Sequence, residues 1–470
     1  MPSRFIVCAF ALGAVILGAA DQPYTDVPFV PTPANVVDAM LDLAHIQPTD
    51  VLVDLGSGDG RIVIAAAKRF GIQATGVEIN PDLVHQSETL AMQERLEGKV
   101  RFVQADLFEY DLRQASVVMM YLTPGVNLRL RSKLLNELRP GTRVISHRFD
   151  MGSWSPAKTI QLGDDHIYLW IVPARGSDPT HPVIETAART AIPFEKLTAM
   201  FAYDAGIPLN AHAEKPESVE GALVTAVSYG GGRGPVSATM VTPSRHGKYP
   251  AIIFVHDYGK RDEFLPEALS LARARLPSIS LLIDAPAERP VGWRRSFNSL
   301  SDNDNDREIH IQAVIDIRRG IDLLAARSDV DGNRIAYVGH GYGADWGAIL
   351  SSLEPRLRRF VLVAGFPSLA ELMESDDPEW ANMRYALGSE RFTRYRESIS
   401  VVDPIRFTPF WAGAPILFQF GRFDQFVTRA MADHLVHSIS RPQKAVFYDA
   451  GHAVNDPRAM ADRDGFLAGL

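Results

Sequence analysis

The chain has 470 residues, of which 46% are hydrophobic and 22% are charged, and its formal net charge is −8. This length exceeds what one hydrophobic core usually organises, so we predict two domains. The acidic balance argues against nucleic acid as the main partner, because binding to phosphates requires a cationic surface.

Residues 1–20 have the pattern of a secretory signal peptide: Arg4 supplies positive charge, residues 5–17 form an apolar run, and small residues follow. The run is shorter than the roughly 20 residues that span a bilayer, but residues 5–20, if uncleaved, would tether the chain to a membrane. We therefore expect a secreted, periplasmic or membrane-anchored protein, or a cytoplasmic one if the start is mis-assigned. Cys8, the single cysteine, lies in this segment, so thiolate catalysis is excluded from the mature chain.

The remainder is predicted to contain a first domain at residues 21–175, a linker at 176–194 and a second domain at 195–470. The linker is rich in Pro, Gly, Ser, Asp and Thr and has little periodicity. In the first domain, apolar strands alternate with helices and end in an antiparallel pair, which predicts a doubly wound α/β sheet. The predicted strands are residues 51–53, 74–77, 100–104, 116–120, 143–146, 158–162 and 166–172.

The first strand runs into V-L-V-D-L-G-S-G-D-G-R at residues 51–61. Asp54 ends the apolar run, and Gly56, Gly58 and Gly60 lead into a helix. A strand that turns into a helix over glycines lets a ligand lie against bare backbone at the helix N-terminus.

Two further acids, Glu78 and Asp106, end the next two strands. Because parallel strands bring their carboxyl ends to one sheet edge, we expect the three acids to share a crevice, with Glu78 placed to accept hydrogen bonds from ribose hydroxyls. A dinucleotide site is the competing interpretation, but its G-x-G-x-x-G pattern would need glycine where Arg61 stands. An ordinary strand–helix turn with solvent-facing acids is the non-functional alternative.

This segment resembles class I S-adenosylmethionine (SAM) methyltransferases, and in particular a bacterial family of small enzymes related to protein-lysine methyltransferases. The resemblance rests on F-V-P-T-P (29–33), D-L-G-S-G-D-G-R (54–61), G-V-E-I-N-P (76–81), A-D-L-F (105–108), Y-L-T-P (121–124) and P-G-T-R-V-I-S-H (140–147). It implies a Rossmann-like domain with SAM as cofactor. The residues that it implies around SAM are Asp54, Gly56 and Gly58 at the methionine part, Glu78 at the ribose, and Asp106 with Leu107 or Phe108 at the adenine.

The resemblance also places Tyr121 at the mouth where methyl transfer occurs, and Tyr121 is our candidate for orienting the acceptor nitrogen. A packing aromatic at the sheet rim is an equally good interpretation. The acceptor is a protein, with lysine the favoured residue, or a small molecule. Y-L-T-P differs from the Asn/Asp-Pro-Pro-aromatic motif of amide- and adenine-methylating enzymes, which disfavours those substrates. His147 and His166 are predicted to be structural, and no metal-ligand spacing is present.

The second domain contains G-H-G-Y-G at residues 339–343 between a predicted strand and helix, the frame of a nucleophile elbow. Asp424 and His452 follow later strands, in the order nucleophile, acid, histidine. The region resembles the α/β-hydrolase fold, and dienelactone-hydrolase-like proteins in particular. H-D-Y-G at residues 256–259 occupies the position of the oxyanion loop.

The nucleophile position holds Gly341, which has no side chain to attack a substrate. We therefore favour a non-catalytic hydrolase-like domain that binds a substrate, a partner or the first domain. Two alternatives remain: Asp424 and His452 activate a water in the space left by the absent side chain, or the glycine is an error or a recent single-residue loss. A binding protein with both sites silent is a further alternative. The substitution Gly341→Ser is expected to restore ester hydrolysis if the acid, histidine and oxyanion loop remain aligned.

Overall fold

The computed structural model describes residues 28–175, 192–257, 262–275, 277–286, 289, 303–441 and 443–470. The chain divides into two compact units, residues 1–183 and 184–470. The predicted signal segment and most of the predicted linker lie outside the described residues. Within the described ranges, none of the helices combines the length and apolar character needed to cross a bilayer.

The first unit is a seven-stranded sheet with helices on both faces. Its strands are β1 (Val51–Leu55), β2 (Gln73–Glu78), β3 (Val100–Gln104), β4 (Val117–Met120), β5 (Arg143–His147), β6 (Lys158–Leu162) and β7 (Asp165–Ile171). Its helices are α1 (Ala34–Leu43), α2 (Arg61–Phe70), α3 (Pro81–Gln93) and α4 (Pro124–Glu137). The strand order is β3-β2-β1-β4-β5-β7-β6.

Strands β1 to β5 are parallel, and β7 pairs antiparallel with both β5 and β6. The predicted doubly wound sheet with a closing antiparallel pair is therefore confirmed. The chain reverses its direction across the sheet between β1 and β4, and ligands bind at such a switch point, outside the carboxyl ends of the strands.

Local sequence accounts for the helix boundaries beside this point. Helix α2 begins after Gly60, whose φ is 77°, and ends at Gly71, whose φ is 69°. Both conformations are left-handed and favour glycine. Helix α3 follows the Asn80 side chain, which accepts a hydrogen bond from the N–H of Asp82, and it has Pro81 in its first turn.

The second unit contains a larger mixed sheet. Its strands are β8 (His212–Ala213), β9 (Glu217–Val219), β10 (Ala222–Gly231), β11 (Gly234–Pro243), β12 (Tyr249–Val255), β13 (Ile279–Ile283), β14 (Val330–His340), β15 (Leu357–Val363), β16 (Ile416–Gly421) and β17 (Lys444–Tyr448). The order is β17-β16-β15-β14-β12-β13-β11-β10-β8, with β9 paired to β10. Strands β12 to β17 are parallel, and β10 and β11 form an antiparallel hairpin.

The helices of this unit are α5 (Phe194–Ala199), α6 (Leu265–Arg273), α7 (Asn303–Ala325), α8 (Tyr342–Leu353), α9 (Leu369–Glu374), α10 (Pro378–Ser400), α11 (Arg429–His437) and α12 (Pro457–Leu467). Helix α10, which the sequence analysis did not predict, has a kink at Gly388. Strand β14 runs directly into Gly341 and α8, which confirms the strand and helix predicted on either side of G-H-G-Y-G. Both units thus have the predicted α/β class.

Candidate functional site

A cavity of about 310 Å³ opens at the carboxyl ends of β1, β2 and β4 in the first unit. Its size is within the range of pockets that hold small ligands. Every residue that the sequence analysis placed in the cofactor site lines it, as does Tyr121. These lining residues are Asp54, Gly56, Gly58, Glu78, Asp106, Leu107 and Tyr121. The structure brings them together, and their individual roles stay predictions.

Asp54 supplies a buried carboxyl group to this cavity. Its side chain is 2% exposed, and its Oδ2 atom has no hydrogen-bond partner within the part of the chain that the structure describes. Burial, followed by repulsion from Glu78 and Asp59, raises the pKa of Asp54 to about 8. A buried polar atom without a partner is rare in folded proteins, so this oxygen fits a site completed by a bound polar or cationic group.

The glycines of the β1–α2 loop leave backbone exposed beside Asp54. Gly56 and Gly58 have φ values of 73° and 54°. A Cβ atom on Gly56 would lie 2.7 Å from a methyl of Leu122, and one on Gly58 would lie 2.5 Å from the ring of Phe29. Both conformation and space therefore require glycine here, as expected of a loop that a ligand approaches closely.

Glu78 is held rigidly at the end of β2. Its Oε2 accepts a 2.9 Å hydrogen bond from the N–H of Gly58, and its Oε1 accepts a 3.0 Å bond from the N–H of Asn80. Each carboxylate oxygen has a second lone-pair site, so both can also accept from a pair of hydroxyl groups.

At the other end of the cavity, Asp106 is exposed, and its Oδ1 accepts a 2.8 Å hydrogen bond from the N–H of Phe108. The guanidinium carbon of Arg129 lies 4.1 Å from the centroid of the Phe108 ring. Arg129 also lines the cavity, and the sequence analysis did not identify it, because nothing in the sequence indicates which face of α4 points to the sheet edge.

The N-terminal arm, residues 28–33, borders the cavity through a specific contact. Arg61 donates a 2.8 Å hydrogen bond from Nη1 to the carbonyl of Thr32, and its Nη2 lies 2.6 Å from Oδ2 of Asp59. Phe29 is 49% exposed although its ring packs on Gly58. Arg61, whose presence disfavoured a dinucleotide site, therefore joins the arm to the glycine loop.

Tyr121 lies at the end of β4 against the ring of His147, with ring centroids 4.0 Å apart. The Nε2 of His147 lies 3.0 Å from Oδ1 of Asp165. Burial lowers the pKa of His147 although Asp165 opposes the shift, so this imidazole is neutral near pH 7. These contacts agree with the predicted structural role of His147, which supports the Tyr121 ring from one side.

In the second unit, the elbow backbone is present. Gly341 has φ 54° and ψ −118°, between β14 and α8. A Cβ on Gly339 would lie 2.3 Å from the carbonyl oxygen of Gly343, and one on Gly343 would lie 2.2 Å from that of Val255. The sharp strand–helix turn of a nucleophile elbow is therefore built without the nucleophile side chain.

The predicted acid and histidine also meet. His452 Nδ1 lies 2.8 Å from Oδ2 of Asp424, and the N–H of Phe426 donates a 2.8 Å bond to Oδ1 of the same acid. His452 Nε2 faces Asp257, with 3.6 Å to its Oδ2. Burial opposes the charged imidazole, but the contacts with Asp257 and Asp424 outweigh it and raise the pKa of His452 to about 9.

Asp257 bears on one sequence-based alternative. A Cβ atom at Gly341 would lie 2.2 Å from Oδ1 of Asp257. A carboxylate oxygen thus lies where a side chain at position 341 would begin, in the space in which that alternative placed a water activated by Asp424 and His452. Asp257 belongs to the predicted oxyanion loop, of which residues 258 and 259 lie outside the described part of the chain.

Comparison with known protein families places the first domain among methyltransferases. A family model described as an ANTKMT methyltransferase domain matches residues 54–158. A protein-lysine N-methyltransferase from Saccharolobus islandicus is 41% identical over 151 residues, which cover 31% of this chain and 94% of that protein. An adenine nucleotide translocase lysine N-methyltransferase from Mus musculus is 38% identical over 154 residues, which cover 33% of this chain and 66% of that protein.

Two solved structures match different parts of the chain. An RNA methyltransferase from Salinibacter ruber in complex with S-adenosyl-L-homocysteine is 52% identical, covers 31% of this chain and 94% of its own, and has a TM-score of 0.30. An acetyl xylan esterase from Paenibacillus sp. R4 is 19% identical, covers 59% of this chain and 93% of its own, and has a TM-score of 0.49.

Proposed function

Since the chain belongs, through its first domain, to the ANTKMT family of SAM-dependent methyltransferases, we propose that its methyl acceptor is the side-chain amine of a protein lysine. The observation that carries this proposal is the charge of the cavity, which favours a cationic acceptor. The side chains that line it include four acids, Asp54, Asp59, Glu78 and Asp106, and two guanidinium groups, of Arg61 and Arg129. Asp54, whose pKa is raised to about 8, adds its negative charge when a cationic group binds beside it.

The residues present fit the cofactor. The partnerless Oδ2 of Asp54 and the bare backbone of Gly56 and Gly58 suit its methionine part, and the two fixed oxygens of Glu78 suit its ribose. Asp106 and Leu107 line the same cavity and would hold the adenine. When bound, SAM supplies a methyl group already activated on a sulfonium sulfur.

The protein's own contribution is therefore orientation and exclusion of water rather than strong acid–base catalysis. Carboxylates at the cavity attract the lysine ammonium, which must lose its proton before the nitrogen attacks. The Tyr121 hydroxyl would then accept a hydrogen bond from the amine N–H, which orients the nitrogen and leaves its lone pair free to attack. The arm at residues 28–33, held by Arg61, covers the glycine loop and helps to keep water out.

We would test this proposal with the purified full chain, methyl-labelled SAM and a library of synthetic lysine-containing peptides. Peptides in which each lysine is replaced by arginine serve as controls, and a transcribed RNA is tested in parallel. Methyl-lysine found by mass spectrometry supports the proposal. Label in RNA alone, or no methyl-lysine although calorimetry detects SAM binding, would refute the lysine assignment without affecting the cofactor site.

For the second domain, we propose that it does not hydrolyse substrate esters through Asp424 and His452. Glycine at position 341 cannot form an acyl-enzyme, and Asp257 fills the space of the missing side chain. Hydrolysis of aryl acetates by the full chain that depends on Asp424 and His452 would contradict this.

The N-terminal segment motivates a proposal about location. We propose that residues 1–20 direct the chain out of the cytoplasm, either as a cleaved signal or as a tether. Fractionation of expressing cells, with N-terminal sequencing of the product, provides the test. An intact N-terminus in the soluble cytoplasmic fraction would refute export.

A further inference from the structure

In the second domain, the glycine at position 341 makes room for the carboxylate of Asp257. Gly341 has lost the nucleophile, while Asp257, on the loop after the neighbouring strand β12, places Oδ1 2.2 Å from where a Cβ at position 341 would be. Any side chain at position 341 would displace this carboxylate. The glycine is therefore what admits Asp257 to the nucleophile's position.

His452 and the N–H of Tyr342 contact this carboxylate as they would contact a nucleophile at position 341. His452 Nε2 faces Oδ2 of Asp257 at 3.6 Å, while Nδ1 on the opposite side of the ring is held by Asp424 at 2.8 Å. The N–H of Tyr342, the residue after the elbow position, points at Oδ1 of Asp257 at 3.4 Å. In a nucleophile elbow, the N–H of that residue stabilises the oxyanion.

We propose that Asp257 is a relocated nucleophile, and that the second domain opens epoxides through an ester on the Asp257 carboxylate, which water then hydrolyses with the help of His452. The side chains of Asp257 and His452 are 11% and 15% exposed, so solvent reaches both groups.

The charge state of the site suits an epoxide. Because two carboxylates flank His452, its imidazole is protonated at neutral pH. An imidazolium beside a carboxylate nucleophile cannot accept a proton, but it can donate one to a leaving oxygen. An epoxide provides an electrophilic carbon, a strained bond and an oxygen that needs a proton as it leaves.

In the first step, a carboxylate oxygen of Asp257 attacks an epoxide carbon. The ring C–O bond breaks, and its oxygen takes the proton of His452. The products are a hydroxyalkyl ester of Asp257 and a neutral imidazole. Since esterification removes the negative charge of Asp257, His452 loses one of the two groups that favoured its protonation.

In the second step, neutral His452 takes a proton from water, and the hydroxide adds to Cγ of the Asp257 ester. The N–H of Tyr342 stabilises the resulting oxyanion. Collapse expels the diol, which receives the proton from His452, and the carboxylic acid of Asp257 then returns its proton to His452. The net reaction is epoxide plus water to diol, with all atoms and charges balanced.

The test uses the full chain with para-nitrostyrene oxide as the probe. Wild type is expected to form the diol and, when quenched with acid during turnover, to carry an adduct of one epoxide mass that peptide mapping places on Asp257. His452→Gln should lose diol formation, because His452 serves in both steps. Asp257→Asn and Gly341→Ala should form neither product. Asp449→Asn, which changes an exposed aspartate paired with Arg422, is the matched control and should behave as wild type.

A single turnover in heavy-oxygen water separates this mechanism from direct attack by water. The relocated nucleophile puts the label into the Asp257 carboxylate, whereas direct attack puts it into the diol. The proposal is overturned by label in the diol, by turnover that survives Asp257→Asn, or by absence of both diol and adduct. Loss of turnover with EDTA would also overturn it, because donor atoms of Asp257, His340 and His452 lie within 4.8 Å of one another and such a result would indicate a metal hydrolase.

Discussion

The N–H of Gly58 donates a 2.9 Å hydrogen bond to Oε2 of Glu78 and so joins the glycine loop after β1 to the acid that ends β2. One contact thereby fixes both the bare backbone and the carboxylate of the candidate cofactor site. A site whose groups are already held in place loses less conformational freedom when a ligand binds.

The glycine loop provides the first prediction. In Gly58→Ala, the new Cβ would meet the Phe29 ring at 2.5 Å, and alanine would be held at positive φ. We expect SAM affinity to fall at least about tenfold and the first unit to lose about 1–2 kcal/mol of stability. Gly98→Ala is the control, because Gly98 also has positive φ but nothing within 4 Å of its Cβ position. Calorimetric titration measures the SAM affinity of the two variants, and thermal unfolding measures their stability. Equal SAM affinity in the two variants would contradict the prediction.

The buried Asp54 carboxyl should lower the stability of the folded chain as pH rises, although it contributes to SAM binding. Because burial raises the pKa of Asp54 to about 8 from its ordinary value of 3.8, the folded chain binds more protons than the unfolded chain between these values. Stability should therefore fall as pH rises through this window. Asp54→Asn should remove this pH dependence. Its unfolding midpoint should exceed that of wild type by more at pH 8 than at pH 5, and the variant should not bind SAM. Scanning calorimetry of the ligand-free proteins measures both midpoints. A difference between Asp54→Asn and wild type that does not change with pH would contradict the prediction.

Binding of SAM should release a proton from Asp54. If the cationic methionine part favours ionised Asp54, affinity should rise between pH 6 and pH 7.5, by at most about tenfold per pH unit. Calorimetry in buffers with different ionisation enthalpies detects the released proton. Asp106→Asn should keep this pH dependence. A flat profile in wild type would mean that Asp54 does not contact the charged part of the ligand.

Tyr121 can be assigned to catalysis or to packing by one substitution. Tyr121→Phe keeps the ring against His147 but removes the hydroxyl. If the hydroxyl orients the acceptor nitrogen, kcat should fall about tenfold to a hundredfold, which corresponds to the loss of a hydrogen bond from a nitrogen that gains positive charge in the transition state, while SAM affinity stays constant. Tyr110→Phe, outside the cavity lining, is the control. An unchanged kcat would identify Tyr121 as a packing residue.

Restoring a serine at the elbow should not by itself restore esterase activity. The expectation that Gly341→Ser would suffice was conditional on an aligned oxyanion loop, but Asp257 of that loop lies where the new side chain would begin. We expect Gly341→Ser to be inert on aryl acetates and the double variant Gly341→Ser/Asp257→Gly to gain hydrolysis that depends on His452. Activity in the single variant, or an inert but folded double variant, would show that Asp257 is not the obstacle.

Much of the first domain could be predicted because its signals are local. The apolar run of β1, the glycines after it and Asn80-Pro81 at the start of α3 each act within a few residues, so the strands fall close to their predicted bounds. Arg129 could not be predicted, because its approach to the cavity depends on how α4 packs.

By itself, the sequence determined the two α/β domains, the strand ends that carry Asp54, Glu78 and Asp106, and the loss of the side chain at position 341. Only the tertiary structure decided that Asp54 is buried with one oxygen that finds no partner among the described residues, and that Asp257 lies where a side chain at position 341 would begin. The physical reason is that desolvation and side-chain position depend on elements far apart in the chain. Periodicity identifies a strand, but it does not determine which atom of the adjacent strand's loop enters the space beside a glycine.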